Sequence, residues 1–294
     1  MILTNTTTPL CHRFGVKRAV EMNCEAGFRS IDYCFCDTKS PLLEKDNAAL
    51  LRELKATMAH YGATAHQAHA PFPIGPEAYR IPADNVHELL LCTLDTCAEL
   101  GVKYVVFHPI RIYDSTMEER IAKNVEVMTP YGEYAKKCGV QIAVENLFCQ
   151  HKENKKKLTA NACSTGLELA ATVDALGDPF VACIDVGHSG LAGQSAAEMI
   201  RTLGKKRLHA LHIHDNDYFD DLHTLPTLGD MDWDSITSAL ADIDYDDSFT
   251  FEIVGRYLTK CPEELCIDAL RYLNAMGNYF VRQIEAKKKA LAAK

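Results

Sequence analysis

The chain has 294 residues, 47% of them hydrophobic and 24% charged, with 31 Lys and Arg against 40 Asp and Glu for a formal charge of −9. This is globular composition with material for a large core, and it excludes a disordered, collagen-like or low-complexity chain. The acidic balance argues against a protein whose affinity rests on many phosphate contacts, so nucleic acid is not expected as a partner. No window approaches the ~18 consecutive apolar residues of a membrane span. The start MILTNTTTPL has neither the basic region nor the apolar run of a secretory signal. Twelve cysteines without a C-x-x-C pair are read as reduced, mostly buried thiols, which points to the cytoplasm.

Short apolar runs alternate with amphipathic stretches along the chain. Strands are expected at 1–3, 29–33, 63–68, 103–107, 140–144, 180–184, 208–213 and 249–253. Helices are expected at 15–25, 42–60, 86–100, 117–137 (ended by Gly139), 166–176, 195–203 and 233–243, with a last one from Pro262 to about 290. The most irregular stretch, about 149–164, carries the basic run 152–157 and is read as a long loop over one end of the fold.

About eight strand–helix units whose strands are continuous apolar runs describe a parallel sheet buried on both faces. In this length the pattern closes most simply as one (β/α)8 barrel spanning 1–294. An open doubly wound sheet would bring a Gly-rich turn after the first strand, and Thr6-Thr7-Thr8-Pro9 is not one.

Barrel enzymes work at the C-terminal ends of their strands. His69 follows the third expected strand and His108 the fourth. Glu145 ends the fifth, Asp185 and His188 follow the sixth, His212 ends the seventh, and Glu252 lies on the eighth. Ionisable residues at six successive strand ends converge on one mouth. A set of carboxylates and imidazoles without thiolate suits Mn, Mg, Co or Zn. Two glutamates on neighbouring strands, sharing such an ion, would flank a substrate, one removing a proton and the other returning one. His12 and His209 are read as packing residues. Trp233 is read as the anchor of a helix capped by Asp230 or Asp232.

The ordered set HAPF (69–72), FHP (107–109), VEN (144–146), DVGH (185–188), HIHDND (212–217), Asp221-x-His223 and the terminal FE (251–252) resembles the xylose-isomerase-like barrel superfamily. That superfamily contains sugar (phosphate) isomerases and epimerases and the endonuclease IV type of abasic-site nuclease. The resemblance runs from about residue 27 to 255. The isomerase/epimerase likeness implies one divalent metal, manganese ahead of Mg, Co or Zn, held by Glu145, Asp185, His212 and Glu252, with a further ion possible at Asp221 and His223. It also implies that Glu145 and Glu252 act as acid and base next to a carbonyl, through an enediolate-like intermediate. His188, His108 and His69 would bind substrate.

Arg256 is the single candidate cation after the eighth strand. The absence of a Gly/Lys phosphate nest favours an unphosphorylated sugar or polyol. The same family also implies lyase or dehydratase chemistry on a sugar, inosose or glycoside. The nuclease likeness implies three zinc ions on His69, His108, Glu145, Asp185, His188, His212, Asp221, His223 and Glu252. It ranks second because Asn146-Leu147-Phe148-Cys149 lacks the small, Gly-rich continuation of the nucleases. The long last helix allows a homo-oligomer.

Overall fold

A computed structural model of the protein describes residues 1–72, 83–150 and 158–293. The barrel strands are β1 (Ile2–Thr6), β2 (Ser30–Cys34), β3 (Thr64–His69), β4 (Tyr104–Phe107), β5 (Gln141–Glu145), β8 (Phe180–Asp185), β9 (Leu208–His212) and β10 (Ser248–Phe251). They pair in parallel in the order β10-β1-β2-β3-β4-β5-β8-β9. A parallel bridge between Ile213 and Phe251 joins β9 to β10 and closes the ring. The expected (β/α)8 barrel is the observed fold.

Helices cover the outside: α1 (Thr8–Phe14), α2 (Val16–Glu25), α3 (Ala48–Tyr61), α4 (Ala83–Leu100), α5 (Met117–Cys138), α6 (Gly166–Leu176), α7 (Val186–Leu191), α8 (Ala196–Arg207), α9 (Trp233–Asp242), α10 (Arg256–Thr259) and α11 (Cys266–Ala292). Their ends follow local chemistry. Thr116 and Glu119 form a reciprocal capping box at the start of α5, and Gly139 closes it in the left-handed region at φ 74°. Asp232 caps α9 by accepting from the Ser235 N–H, and Trp233 opens that helix, as expected. Among the described residues no helix is long and apolar enough to cross a membrane.

The strand period of two positions the site. Ile31, Val105, Phe107, Ile142, Val144, Ile184, Leu211, Phe249 and Phe251 belong to the large cluster beneath the helices. The alternating residues Tyr104, Val106, Ala143, Val181, Cys183 and Ala210 form a separate cluster inside the barrel. The next inward positions toward the C-terminal end are His108, Glu145, Asp185, His212 and Glu252. The apolar interior is thus the floor on which these ionisable groups stand.

Three sequence expectations need correction. A helix, α1, occupies the connection after β1; Pro9 in its first turn disguised it, although proline is tolerated there. The stretch 149–164 is not wholly a loop: β6 (Phe148–Gln150) and β7 (Leu158–Ala160) form an antiparallel hairpin, and the basic run 152–157 lies outside the described residues. Glu252 stands one residue beyond β10, although its N–H still donates to the Ile213 carbonyl at 3.1 Å.

Candidate metal centre

Glu145, at the end of β5 and 1% exposed, is the hub of the mouth. Its Oε1 lies 2.9 Å from His212 Nδ1 and 3.5 Å from His188 Nδ1. Its Oε2 lies 2.9 Å from His108 Nε2 and 3.4 Å from His69 Nε2. Glu252 reaches the same centre, with Oε2 3.5 Å from both His212 Nδ1 and His223 Nδ1. Asp185 is fully buried, and its two oxygens lie 2.9 Å from His214 Nε2. Glu145, Asp185, His212 and Glu252 each offer one ligand atom within 4.8 Å of the others. His69, Glu145 and His212 form a second such group, Asp185, His214, His223 and Glu252 a third, and His188, Asp221 and His223 a fourth.

The backbone around these groups is specialised. Asp185 is at once a site residue and the N-cap of α7, accepting from the His188 N–H at 2.7 Å. Asn146 clamps it in place: its Oδ1 accepts from the Asp185 N–H at 2.7 Å and its Nδ2 donates to the Asp185 carbonyl at 2.9 Å. Gly187 is required because a Cβ there would overlap the His214 ring. His223 holds φ 43°, a conformation that costs a non-glycine residue on the order of 1–3 kcal/mol and that its contacts with Asp221 and Glu252 stabilise.

Burial works against every charge here, and opposite charges overcome it. Burial opposes the imidazolium of His212, yet Glu252 and Glu145 push its pKa up to about 10. Burial also opposes ionisation of Glu145, but His212 and His108 hold it well below the usual carboxylate range. Asp185 is held down at about 2 against its burial by His188 and His214. Burial opposes the charged form of His223, yet Asp221 and Glu252 raise it to about 9. His108 is the exception: burial dominates and lowers it to about 4, leaving a neutral ring nitrogen directed at Glu145.

Glu145 Oε2 and His212 Nε2 are buried yet make no well-aligned hydrogen bond. Close approach without alignment, among oxygen and imidazole donors, is the arrangement of lone pairs converging on a cation. The residues present therefore fit a divalent metal, with Glu145, Asp185, His212 and Glu252 as the set that shares one centre.

Of the residues singled out from sequence, His69, His108, Glu145, Asp185, His188, His212, Asp221, His223 and Glu252 meet at this mouth. Arg256 does not: it is exposed at the start of α10, and among the described residues no contact joins it to the carboxylates. The two glutamates are not on neighbouring strands, because β8 and β9 stand between β5 and β10. Phe35, just beyond β2, is a fully buried core residue. Phe148 packs edge-on against His188 at 5.0 Å, and Phe72 stacks on His108 at 4.6 Å. The sequence reading assigned no role to His214, whose ring also stacks on His223 at 3.8 Å. It likewise missed Asp32, a fully buried carboxyl on β2 with neither oxygen hydrogen-bonded. The alternation H-x-H over 212–214 was the available signal for His214.

The model of the xylose isomerase-like TIM barrel family matches residues 20–276. The chain belongs to that family. An inosose isomerase of Bacillus licheniformis is 33% identical over 167 residues, which cover 54% of this chain and 57% of the relative. Among solved structures, the IOLI protein with a zinc atom superposes with a TM-score of 0.75 at 21% identity, covering 94% of this chain and 98% of that one. A D-tagatose 3-epimerase-like protein superposes with a TM-score of 0.71 at 20% identity, covering 94% and 99%. An isomerase- or epimerase-type enzyme, expected from the strand-end motifs, agrees with the family and with the activity of its named relatives.

Proposed function

We propose that the protein is a divalent-metal-dependent isomerase or epimerase that moves a proton at a carbon next to a carbonyl in an unphosphorylated sugar or polyol. The observation that carries this reading is the buried convergence of Glu145, Asp185, His212 and Glu252 on one centre at the barrel mouth. The inosose isomerase relative supports a cyclic polyol ketone as one substrate class to test.

A cation held by these four residues supplies Lewis acidity beside a carbonyl. The protein's own groups supply the rest. Glu145 is kept ionised, so it can accept a proton. Glu252 reaches the centre from the other side of β8 and β9, so it is placed to deliver a proton to the opposite face. His188, 3.5 Å from Glu145 and 3.6 Å from Asp221, is placed to bind a substrate hydroxyl. The nearly complete burial of Glu145 and His212 limits water, which strengthens each of these interactions. Manganese is the metal we place first, and the thiol-rich composition supports a cytoplasmic location. Lyase or dehydratase chemistry on the same substrates would use the same proton-abstracting step.

A second reading rests on a specific observation. His69 and His108 flank Glu145, and His188, Asp221 and His223 form a group of their own, so the mouth offers donors for more than one ion. Elemental analysis of protein purified without chelator or added metal separates the two. About one Mn, Mg, Co or Zn per chain supports the isomerase reading. Close to three zinc ions per chain would move the assay to a DNA duplex with one abasic site. With a panel of ketoses and inososes in deuterated water, uptake of solvent deuterium at a carbon is expected. Glu145→Gln should lower turnover by about 10²- to 10⁴-fold and weaken metal retention together. Near-normal turnover in that variant would discard the role given to Glu145.

A further inference from the structure

Asp215, just beyond the end of β9, is fully buried and belongs to none of the four ligand groups at the mouth. Its carboxylate accepts hydrogen bonds from the segment that leads to α9. Oδ1 takes the backbone N–H of Asn216 at 2.9 Å and that of Met231 at 3.2 Å. Oδ2 takes the backbone N–H of Thr227 at 2.8 Å and the indole N–H of Trp233 at 2.7 Å. The backbone of Asp215 also pairs with that of Thr224 in both directions, at 2.9 and 3.1 Å. A buried carboxylate is costly unless its lone pairs are filled, and here all the donors come from one segment. A Cβ at Gly229 would overlap Asp215 Oδ1, so the segment closes tightly around that carboxylate.

The same segment is the arm that brings Asp221 and His223 to the mouth. Local preference does not explain its shape. Thr227, which is β-branched, holds φ 75°, and Tyr218 holds φ 63°, both in the left-handed region that such residues avoid. The Thr227 N–H is one of the donors that Asp215 holds. Asn216, tied to Asp215 through its own N–H, passes the constraint on. Its Nδ2 donates to the Gly187 carbonyl at 3.0 Å, and its Oδ1 accepts the Tyr218 N–H at 3.0 Å. The arm is thereby fastened to α7, the helix that carries His188. Glu145, Asp185, His212 and Glu252, by contrast, stand on the barrel strands or one residue beyond them.

We propose that Asp215 is a positioning residue that holds this arm so that Asp221 meets His188 and His223 meets Glu252, and that it thereby governs substrate affinity without touching the metal centre. Asp221 is 31% exposed, so the arm presents a carboxylate at the open side of the mouth, where a substrate hydroxyl can reach it. The proposal rests on the sugar or polyol reading for its kinetic consequence alone. An asparagine at this position keeps the size of the side chain but offers one acceptor oxygen and one NH₂ donor. Whichever way that amide turned, two of the four donors would face another donor. Asp215→Asn therefore opens one of the two clamps, on Asn216 and Met231 or on Thr227 and Trp233.

The test uses the metal-loaded full chain, amide hydrogen exchange read by mass spectrometry, and kinetics on the panel of ketoses and inososes. In Asp215→Asn the amides of 216–231 are expected to exchange at least about tenfold faster, with β5, β8, β9 and β10 unchanged and the metal retained. KM is expected to rise about tenfold with kcat within about twofold. In an Asp221→Asn background the same substitution should add less than about twofold to KM, because both act through one arm. A further tenfold rise there would overturn the proposal, since general support of the fold adds independently. Trp233→Phe removes one donor and keeps an aromatic ring, and it is expected to give the same pattern at about threefold. That variant keeps the test decisive if Asp215→Asn fails to fold. Unchanged exchange in the arm, faster exchange throughout the barrel, or loss of the metal would each overturn the proposal. If no compound of the panel is turned over, the sugar reading fails, and the exchange pattern, which needs no substrate, still decides the role of Asp215.

Discussion

Four histidines stand within 3.5 Å of the Glu145 carboxylate, a crowding that stability alone would not select. Removing one partner of a buried charged pair leaves the other uncompensated, so substitutions here act on more than their own contact. His188 is the informative one, because it touches Glu145, Asp185 and Asp221 without belonging to the central quartet. His188→Ala is expected to retain the metal and raise KM by about tenfold with a smaller change in kcat, as loss of one substrate hydrogen bond does. Loss of bound metal in that variant, measured by elemental analysis, would make His188 a ligand instead. Most of these residues were legible because each ends an apolar run in a short polar motif. Asp32 was not legible: it interrupts the run RSIDY as any strand residue could. Only the closed barrel shows that burial raises its carboxyl to about 7 and leaves both oxygens without partners.

One fork-shaped contact between elements lies away from the mouth. Arg120 on α5 grips Glu168 on α6 through two bonds, Nε to Oε1 at 2.9 Å and Nη2 to Oε2 at 2.6 Å. Glu168 is 2% exposed and also accepts from the Cys163 N–H, so the pair ties both helices to the segment before α6. Arg120→Ala should therefore cost about 2–4 kcal/mol in denaturant unfolding, since a buried carboxylate would lose its fork-shaped partner. A loss below about 0.5 kcal/mol would mean that solvent replaces the guanidinium. Periodicity read from sequence found α5 and α6 almost to their ends, because capping and terminating residues are local chemistry. It missed α1 and the β6–β7 hairpin. Both are short, and the pairing that defines the hairpin joins residues across a polar, basic stretch with no hydrophobic alternation.

Barrel closure brings the opposite end together around Asp247. Its carboxylate accepts from His209 Nδ1 at 2.8 Å, Tyr104 Oη at 2.9 Å and Lys103 Nζ at 3.0 Å, and lies 3.3 Å from His66 Nε2. Burial opposes its charge, but these donors, His209 first, hold it far below the usual carboxylate range. A depressed carboxyl stabilises the fold above the unfolded aspartate pKa of about 4, and that contribution fades as pH falls toward the folded value. Asp247→Asn is expected to lose about 1–3 kcal/mol at pH 7, with the gap to the native chain narrowing below about pH 4. Urea unfolding at pH 7 and pH 3 reads this directly. A gap that widens in acid would contradict the sign.

The sequence by itself determined the class of fold and the candidate set at the mouth. Repeated apolar runs dictate buried parallel strands, and a parallel strand delivers its last residues to one known end. The tertiary structure decided which groups share a centre. Whether Glu145 and Glu252 stand side by side or across β8 and β9, whether Arg256 reaches the mouth, and which histidine Asp185 meets are matters of ring closure and inward orientation. These are contacts between residues 29 to more than 100 positions apart, which no local period encodes.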